Sequence, residues 1–225
     1  RSLSQRLAKL HLQVRLNLNS ETAQPQIAQG IERFDLTLSS LKQEQTSGAA
    51  AKTLARVETT WEEQKQAMKT AGANSAERVI SGAEELSITS GKLVLQLEGA
   101  EVSPVWRLSD LAGRNNMLAQ RLARLYMQTR LGDKTQGRGV DIETTRKEFV
   151  TSLDELTNAP QTSPMVSESI KLARQQWIFF YSAIGHEGDD AKSARNVATT
   201  SERIGEMMDS ISSTYARQAS EKSAR

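Results

Sequence analysis

The chain has 225 residues, 37% hydrophobic and 25% charged, enough apolar material for a sizeable core in one or two domains. Aromatics make up only 4%, with 4 prolines and 13 glycines; this suits long helices and argues against a β-sandwich, which needs short alternating runs of β-branched and aromatic residues. The 29 basic and 27 acidic residues are interspersed to a net charge of +2, which gives no footprint for nucleic acid, and the absence of cysteine excludes disulfides and thiolate-bound metals.

Read in order, the chain opens inside a helical pattern. Leu3, Leu7, Leu10 and Val14 alternate steps of four and three and form one apolar stripe. A start within a helix implies residues upstream, such as a signal peptide or a membrane helix. Turn chemistry then divides the first half at 17–20, 46–48, 71–74 and 99–104. Asn74 with Glu77 has the spacing of a capping box. Val79, Ala83, Leu86, Leu93 and Leu97 make the stripe of the fourth helix. Ser103-Pro104 and Ser163-Pro164 each place a capping serine before a first-turn proline. Beyond them the breaks fall at 132–139, where Gly137-Arg138-Gly139 reads as a flexible connection, at 158–160 and at 185–190. No segment reaches the roughly 18 apolar residues of a membrane span.

The pattern repeats. A shift of 115 carries Leu3, Gln5, Arg6, Leu7, Ala8 and Leu10 onto Leu118, Gln120, Arg121, Leu122, Ala123 and Leu125, and Gln13, Arg15 and Leu16 onto Gln128, Arg130 and Leu131. Phe34 falls on Phe149 by the same shift, Trp61 on Trp177 by 116, and the Val79 stripe on Val197, Ser201, Ile204, Ile211 and Tyr215 by 118. A slowly growing offset means loop insertions between helices that keep their register. The expected fold is therefore all-α: two tandem repeats, 1–103 and 104–225, each of about four helices of antiparallel four-helix-bundle type.

Little in the sequence suggests catalysis. Neither His11 nor His186 follows a glutamate by three positions, so the di-iron bundle signature is absent. His11 falls on Tyr126, which reads as a half-exposed flank position. His186 lies in a glycine-rich acidic loop. No nucleophile–base arrangement, phosphate loop or dinucleotide fingerprint appears, so neither a metal, a cofactor nor an enzyme activity is expected. The aromatic group Trp177, Phe179, Phe180 and Tyr181 reads as core packing, with a partner-docking surface as the alternative.

The polar part of the repeated helix is more informative. Asn115 falls on the apolar stripe of Leu108, Leu111, Leu118, Leu122 and Leu125, Arg114 and Arg121 project from its edge, and Gly113 removes a side chain there. Such a group could coordinate a small anion between helices; alternatively the arginines pair with neighbouring glutamates and Asn115 fixes register.

Residues 111–126 closely resemble the signature of the PilJ-type domain, the N-terminal domain of type IV pili methyl-accepting chemotaxis transducers. They share Ala112, Gly113, Arg114, Met117, Leu118, Gln120, Arg121, Ala123 and Tyr126 with it, and the first repeat keeps Arg1, Leu3, Ser4, Gln5, Arg6, Ala8 and Lys9. The motif is also similar to the P-box of NarX-type nitrate sensors, where an arginine shortly after Ala-Gly helps bind nitrate. By position that arginine is Arg1 in the first repeat and is replaced by Asn116 in the second.

The resemblance implies a bacterial periplasmic sensory module, with Arg1, Gln5, Arg6, Gly113, Arg114, Asn115, Asn116, Gln120 and Arg121 as the ligand-binding set. The ligand would be a small anion such as nitrate or another small molecule, and the expected protein partners are a second copy and an envelope signalling protein. The alternative is a non-sensing helical scaffold or adaptor of the cell envelope.

Overall fold

The computed structural model describes residues 1–44, 46–70, 73–98, 103–133, 136–185 and 191–223. The expected breaks at 71–72, 99–102 and 186–190, with His186 in the last, lie outside them. The described residues form helices α1 (Ser2–Arg15), α2 (Ser20–Gln43), α3 (Gly48–Lys69), α4 (Ala73–Glu98), α5 (Pro104–Arg130), α6 (Gln136–Asn158), α7 (Pro164–Gly185) and α8 (Ala191–Ser223), and no strand. The protein is all-α. It divides into two compact units, Arg1–Glu101 and Val102–Arg225.

The turns follow local chemistry. Asn17 and Asn19, at the first break, both adopt left-handed backbone, with φ of 53° and 51°, a conformation asparagine tolerates better than other side chains. The two serine caps form: Ser103 Oγ accepts from the Trp106 amide and Ser163 Oγ from the Val166 amide, each at 3.3 Å. Gly132 ends α5 at φ 101°, and the Asp133 amide reaches back to the Gln128 carbonyl at 3.1 Å, closing the turn. Two expectations fail here. Asn74 lies inside α4 rather than before it. Gly137-Arg138-Gly139, read as a loop, is helical: Arg138 pairs with Asp133 at 2.5 Å and Asp141 at 3.1 Å, tying the first turn of α6 to the end of the preceding connection.

Within unit 1, α1 packs against α2 and α4, and α3 against α2 and α4, the ring of an antiparallel bundle. Side-chain bonds fix the directions: Arg15 meets Ser75 while Gln5 meets Ser87, and Gln64 meets Val79 while Arg56 meets Glu85. The core holds Leu7, Phe34, Leu38, Leu54, Val57, Trp61, Leu86 and Leu93. Its centre is the Phe34–Trp61 stack, with centroids 4.0 Å apart. The Trp61 indole N–H donates to Asp35 at 2.6 Å, which gives this buried ring its polar partner.

Unit 2 uses the same ring order: α5 packs on α6 and α8, and α7 on α6 and α8. Phe149 stacks on Trp177 at 4.1 Å, the counterpart of Phe34 and Trp61. Leu118, Leu122, Leu125, Leu153, Ile170, Phe180, Ile204, Met208 and Ile211 complete an interior in which each is no more than 1% exposed. Tyr215 is also buried; burial raises its phenol above the usual range while its hydroxyl bonds Thr162 at 2.7 Å. Of the α4 stripe only Leu97, in the last turn, fails to bury.

Candidate functional site

The motif helices α1 and α5 each turn a polar strip towards the fourth helix of their own unit. On α5 this strip climbs turn by turn at Ser109, Gly113, Asn116 and Gln120. Ser109 Oγ donates to the Ser212 carbonyl and Ser212 Oγ to the Ser109 carbonyl, both at 2.9 Å. Gly113 faces Ser212, whose Oγ would lie 3.9 Å from an added Cβ, so the glycine is not required by crowding. Asn116 Nδ2 donates to Asp209 at 2.7 Å, and Gln120 Nε2 to the Ser201 carbonyl at 3.0 Å. Between those two bonds sits Gly205, where an added Cβ would come within 2.8 Å of both Asn116 Oδ1 and Gln120 Nε2.

The seam of unit 1 follows the same plan with different chemistry. Gln5 Nε2 donates to the Ala83 carbonyl at 3.1 Å and to Ser87 Oγ at 3.0 Å. This is the counterpart of Gln120 on Ser201, since the pairs differ by 115 on the motif helix and 118 on the fourth. One turn earlier, Arg1 passes over Gly91, where an added Cβ would lie 3.6 Å from Arg1 Cδ. The counterparts of Arg1 and Gly91 are Asn116 and Asp209. Unit 1 thus sets a cationic side chain against a glycine where unit 2 sets a neutral amide against a carboxylate.

The remaining expected residues do not gather at this strip. Arg114 is exposed and pairs with Glu148 of α6 at 2.9 Å, and Arg121 bonds Thr145 of α6 at 2.5 Å. Both arginines therefore face α6, whereas Asn116 and Gln120 face α8. Arg6 is half-buried on α1, with polar partners of its own. Asn115 points into the interior, 0% exposed, and among the described residues neither its Nδ2 nor its Oδ1 has a hydrogen-bond partner.

Several participants were not singled out from sequence: Ser87, Gly91, Gly205 and Asp209 on the fourth helices, and the buried cations Lys9 and Arg124. The last two are repeat counterparts, 0% and 1% exposed, and both are engaged in polar interactions. Aligning the fourth helices beyond their apolar stripe would have exposed the Gly91–Asp209 exchange. His11, expected at a half-exposed flank, is buried; burial first and the nearby Arg15 second hold its imidazole below its ordinary pKa. Its counterpart Tyr126 is equally buried, with the Arg130 guanidinium 6.0 Å from the ring centre. The aromatic group splits: Trp177 and Phe180 are core, while Phe179 and Tyr181 stand 66% and 41% exposed.

Among the described residues no group of three or more His, Asp or Glu could hold a metal ion, and no helix is long and apolar enough to cross a membrane. The strips offer hydrogen bonds and one cation rather than an acid–base pair.

Residues 1–85 match the family model of the PilJ domain, described as type IV pili methyl-accepting chemotaxis transducer N-term. Over residues 1–85 the chain is similar to that family. The match runs through α1, α2 and α3 and ends inside α4, so it contains Arg1, Gln5 and Arg6 and stops short of Ser87 and Gly91. That family is described as one of transducer domains. Comparison with curated proteins and with solved structures gives no significant match.

Proposed function

We propose that this chain is an extracytoplasmic signal-input module in which unit 2 is a second, diverged PilJ copy and unit 1 recognises a small anion such as nitrate. The observation that carries the reading is the exchange of Arg1 and Gly91 for Asn116 and Asp209. In unit 2 a fixed carboxylate already occupies the seam beside the motif helix. In unit 1 the same level sets the Arg1 guanidinium, which has a polar partner of its own, beside a glycine without a side chain; a carboxylate-like or nitrate-like oxyanion entering there would take the guanidinium over from that partner. The shared stacks and the shared glutamine clamp support common descent of the two units. An anion bridging α1 and α4 signals only if it prefers one arrangement of those helices over another.

Thermal melting with nitrate, nitrite and chloride at fixed ionic strength tests this. A specific anion at 100 times its Kd stabilises by about 2.7 kcal/mol. Arg1→Ala should abolish that gain and Arg114→Ala should leave it intact. A gain that survives Arg1→Ala, or no gain with any anion, removes the reading. The envelope scaffold would then lead, and the internal engagement of Arg114, Arg121 and Asn116 in unit 2 is the observation that favours it.

A further inference from the structure

The core face of α7 is made by Val166, Ile170, Ala173, Trp177 and Phe180, all buried. Outside that face three large apolar residues follow one another at steps of seven: Met165, Leu172 and Phe179, which are 75%, 53% and 66% exposed. A step of seven drifts only about 20° around an α-helix, so the three side chains stand in one line about 21 Å long. Single exposed apolar residues are ordinary, but a line of them at heptad spacing is the seam on which two helices pack.

The bundle itself does not call for this line. Counting 116 back along the repeat, the same positions are Ala49, Arg56 and Glu63 of α3, all exposed, and Arg56 pairs with Glu85 at 2.6 Å. Three outward positions that hold one small and two charged residues in unit 1 hold large apolar ones in unit 2. What favours apolar side chains there is a partner rather than the fold.

We propose that two copies of the chain pair through this face, α7 against the partner's α7, antiparallel across a two-fold axis at Leu172. The line is self-complementary in that arrangement, as a two-fold contact requires. Leu172 meets the partner's Leu172, and Met165, seven residues before the axis, meets the partner's Phe179, seven residues after it, a thioether against a ring. The flanks agree as well: Glu168 faces the partner's Gln175, and Ser169 faces the partner's Gln176. Of the charges on α7, Glu168 is the one beside the seam, and Lys171 balances it within the helix at 2.6 Å. No like charges therefore meet along the line, which is the composition expected at the centre of an interface. Three levels of one helix make a small contact, so the dimer is weak and depends on concentration. The face belongs to α7, not to the motif helices α1 and α5, and does not depend on the anion reading for unit 1.

In sedimentation equilibrium the parent chain should dimerise as its concentration rises from about 10 μM to about 1 mM. Leu172→Glu sets two carboxylates on the axis and should weaken the dimer at least about tenfold. Ile178→Glu is the control: Ile178 is 62% exposed but stands about 120° round the helix from Leu172, so dimerisation should be unchanged. Both side chains are exposed, so both variants should keep the melting profile of the parent. The sequence contains no cysteine, so single cysteines report the pairing. On mild oxidation Leu172→Cys should form a disulfide-linked dimer. Met165→Cys alone and Phe179→Cys alone should not, while an equimolar mixture of those two should link one to the other. A parent that stays monomeric to the highest concentration, a dimer as strong in Leu172→Glu as in the parent, equal weakening by the two glutamates, or Met165→Cys and Phe179→Cys each linking to itself overturns the proposal.

Discussion

Gly205 offers the sharpest check on the α5–α8 seam, because two known effects there have opposite signs. Replacing a helix-interior glycine with alanine ordinarily stabilises by about 1 kcal/mol. Here the new Cβ would meet Asn116 Oδ1 and Gln120 Nε2 at 2.8 Å, closer than carbon tolerates. Neither side chain is loose. Asn116 is held by the carboxylate of Asp209 and Gln120 by the Ser201 carbonyl. Making room means giving up one of those bonds: about 1.5–3 kcal/mol for the bond to a charged acceptor, or about 1 kcal/mol for the neutral one plus the cost of a stranded amide. Asp209 is half-exposed, which puts its bond at the lower end. The net expectation for Gly205→Ala is a loss of about 1 kcal/mol, visible as roughly 3–6 °C in the melting of a unit this size. Gly205→Ser should lose less, since in unit 1 the counterpart Ser87 accepts from Gln5 at 3.0 Å. Urea denaturation followed by circular dichroism gives the magnitude, and hydrogen exchange of α8 amides localises it. A Gly205→Ala chain that is more stable than the parent would refute the packing described for this seam.

Two further predictions concern unit 1. His11 has its folded pKa lowered from 6.5, so the unfolded chain binds the proton more readily; its contribution is complete above that value and is lost progressively as pH falls below it. His11→Tyr, copying Tyr126, should flatten this acid-side slope in pH-dependent melts, and an unchanged slope would count against the burial of the imidazole. Trp61→Ala should cost about 3–5 kcal/mol, since a fully buried ring and its stack on Phe34 are lost together. Trp61→Phe should cost markedly less in the same denaturant titration, and equal costs would show that the stack is not central.

How much of this was legible in sequence depended on whether the signal was local. Helix breaks were legible at Asn17, Asn19, Ser103 and Ser163 because capping and left-handed backbone are settled within a few residues. The Phe34–Trp61 and Phe149–Trp177 stacks were foreshadowed because a repeated aromatic keeps its role when register persists. Rotation of the motif helix was harder to read. Asn115 and Asn116 are about 100° apart around α5, and which of them faces α8 depends on what α8 presents, an aspartate about five turns along a helix some ninety residues away. Arg114 and Arg121 looked like members of the same site because they flank the stripe, but they lean to the opposite edge, where Glu148 and Thr145 wait. The glycine pair at Gly137 and Gly139 misled for a related reason: an ion pair from Arg138 can hold a helix turn that composition alone disfavours.

Asn115 brings these strands together. It stands at 0% exposure on a stripe otherwise built of leucines, and both ends of its amide lack a partner among the described residues. A buried polar group in that state costs about 1–3 kcal/mol, whereas an apolar group of the same shape costs nothing comparable. Leucine branches at the same carbon as asparagine, so Asn115→Leu should raise the stability of unit 2 by about 1 kcal/mol after a small penalty for tighter packing. The alternative is that the amide does pair in the working protein and fixes helix register, as single buried asparagines do in coiled coils. Asn115→Leu would then leave stability level or lower it and broaden the amide spectrum of α5. If the variant is instead more stable and still uniquely folded, the helix keeps an asparagine there at the expense of stability, and a role outside folding is the remaining reason for it.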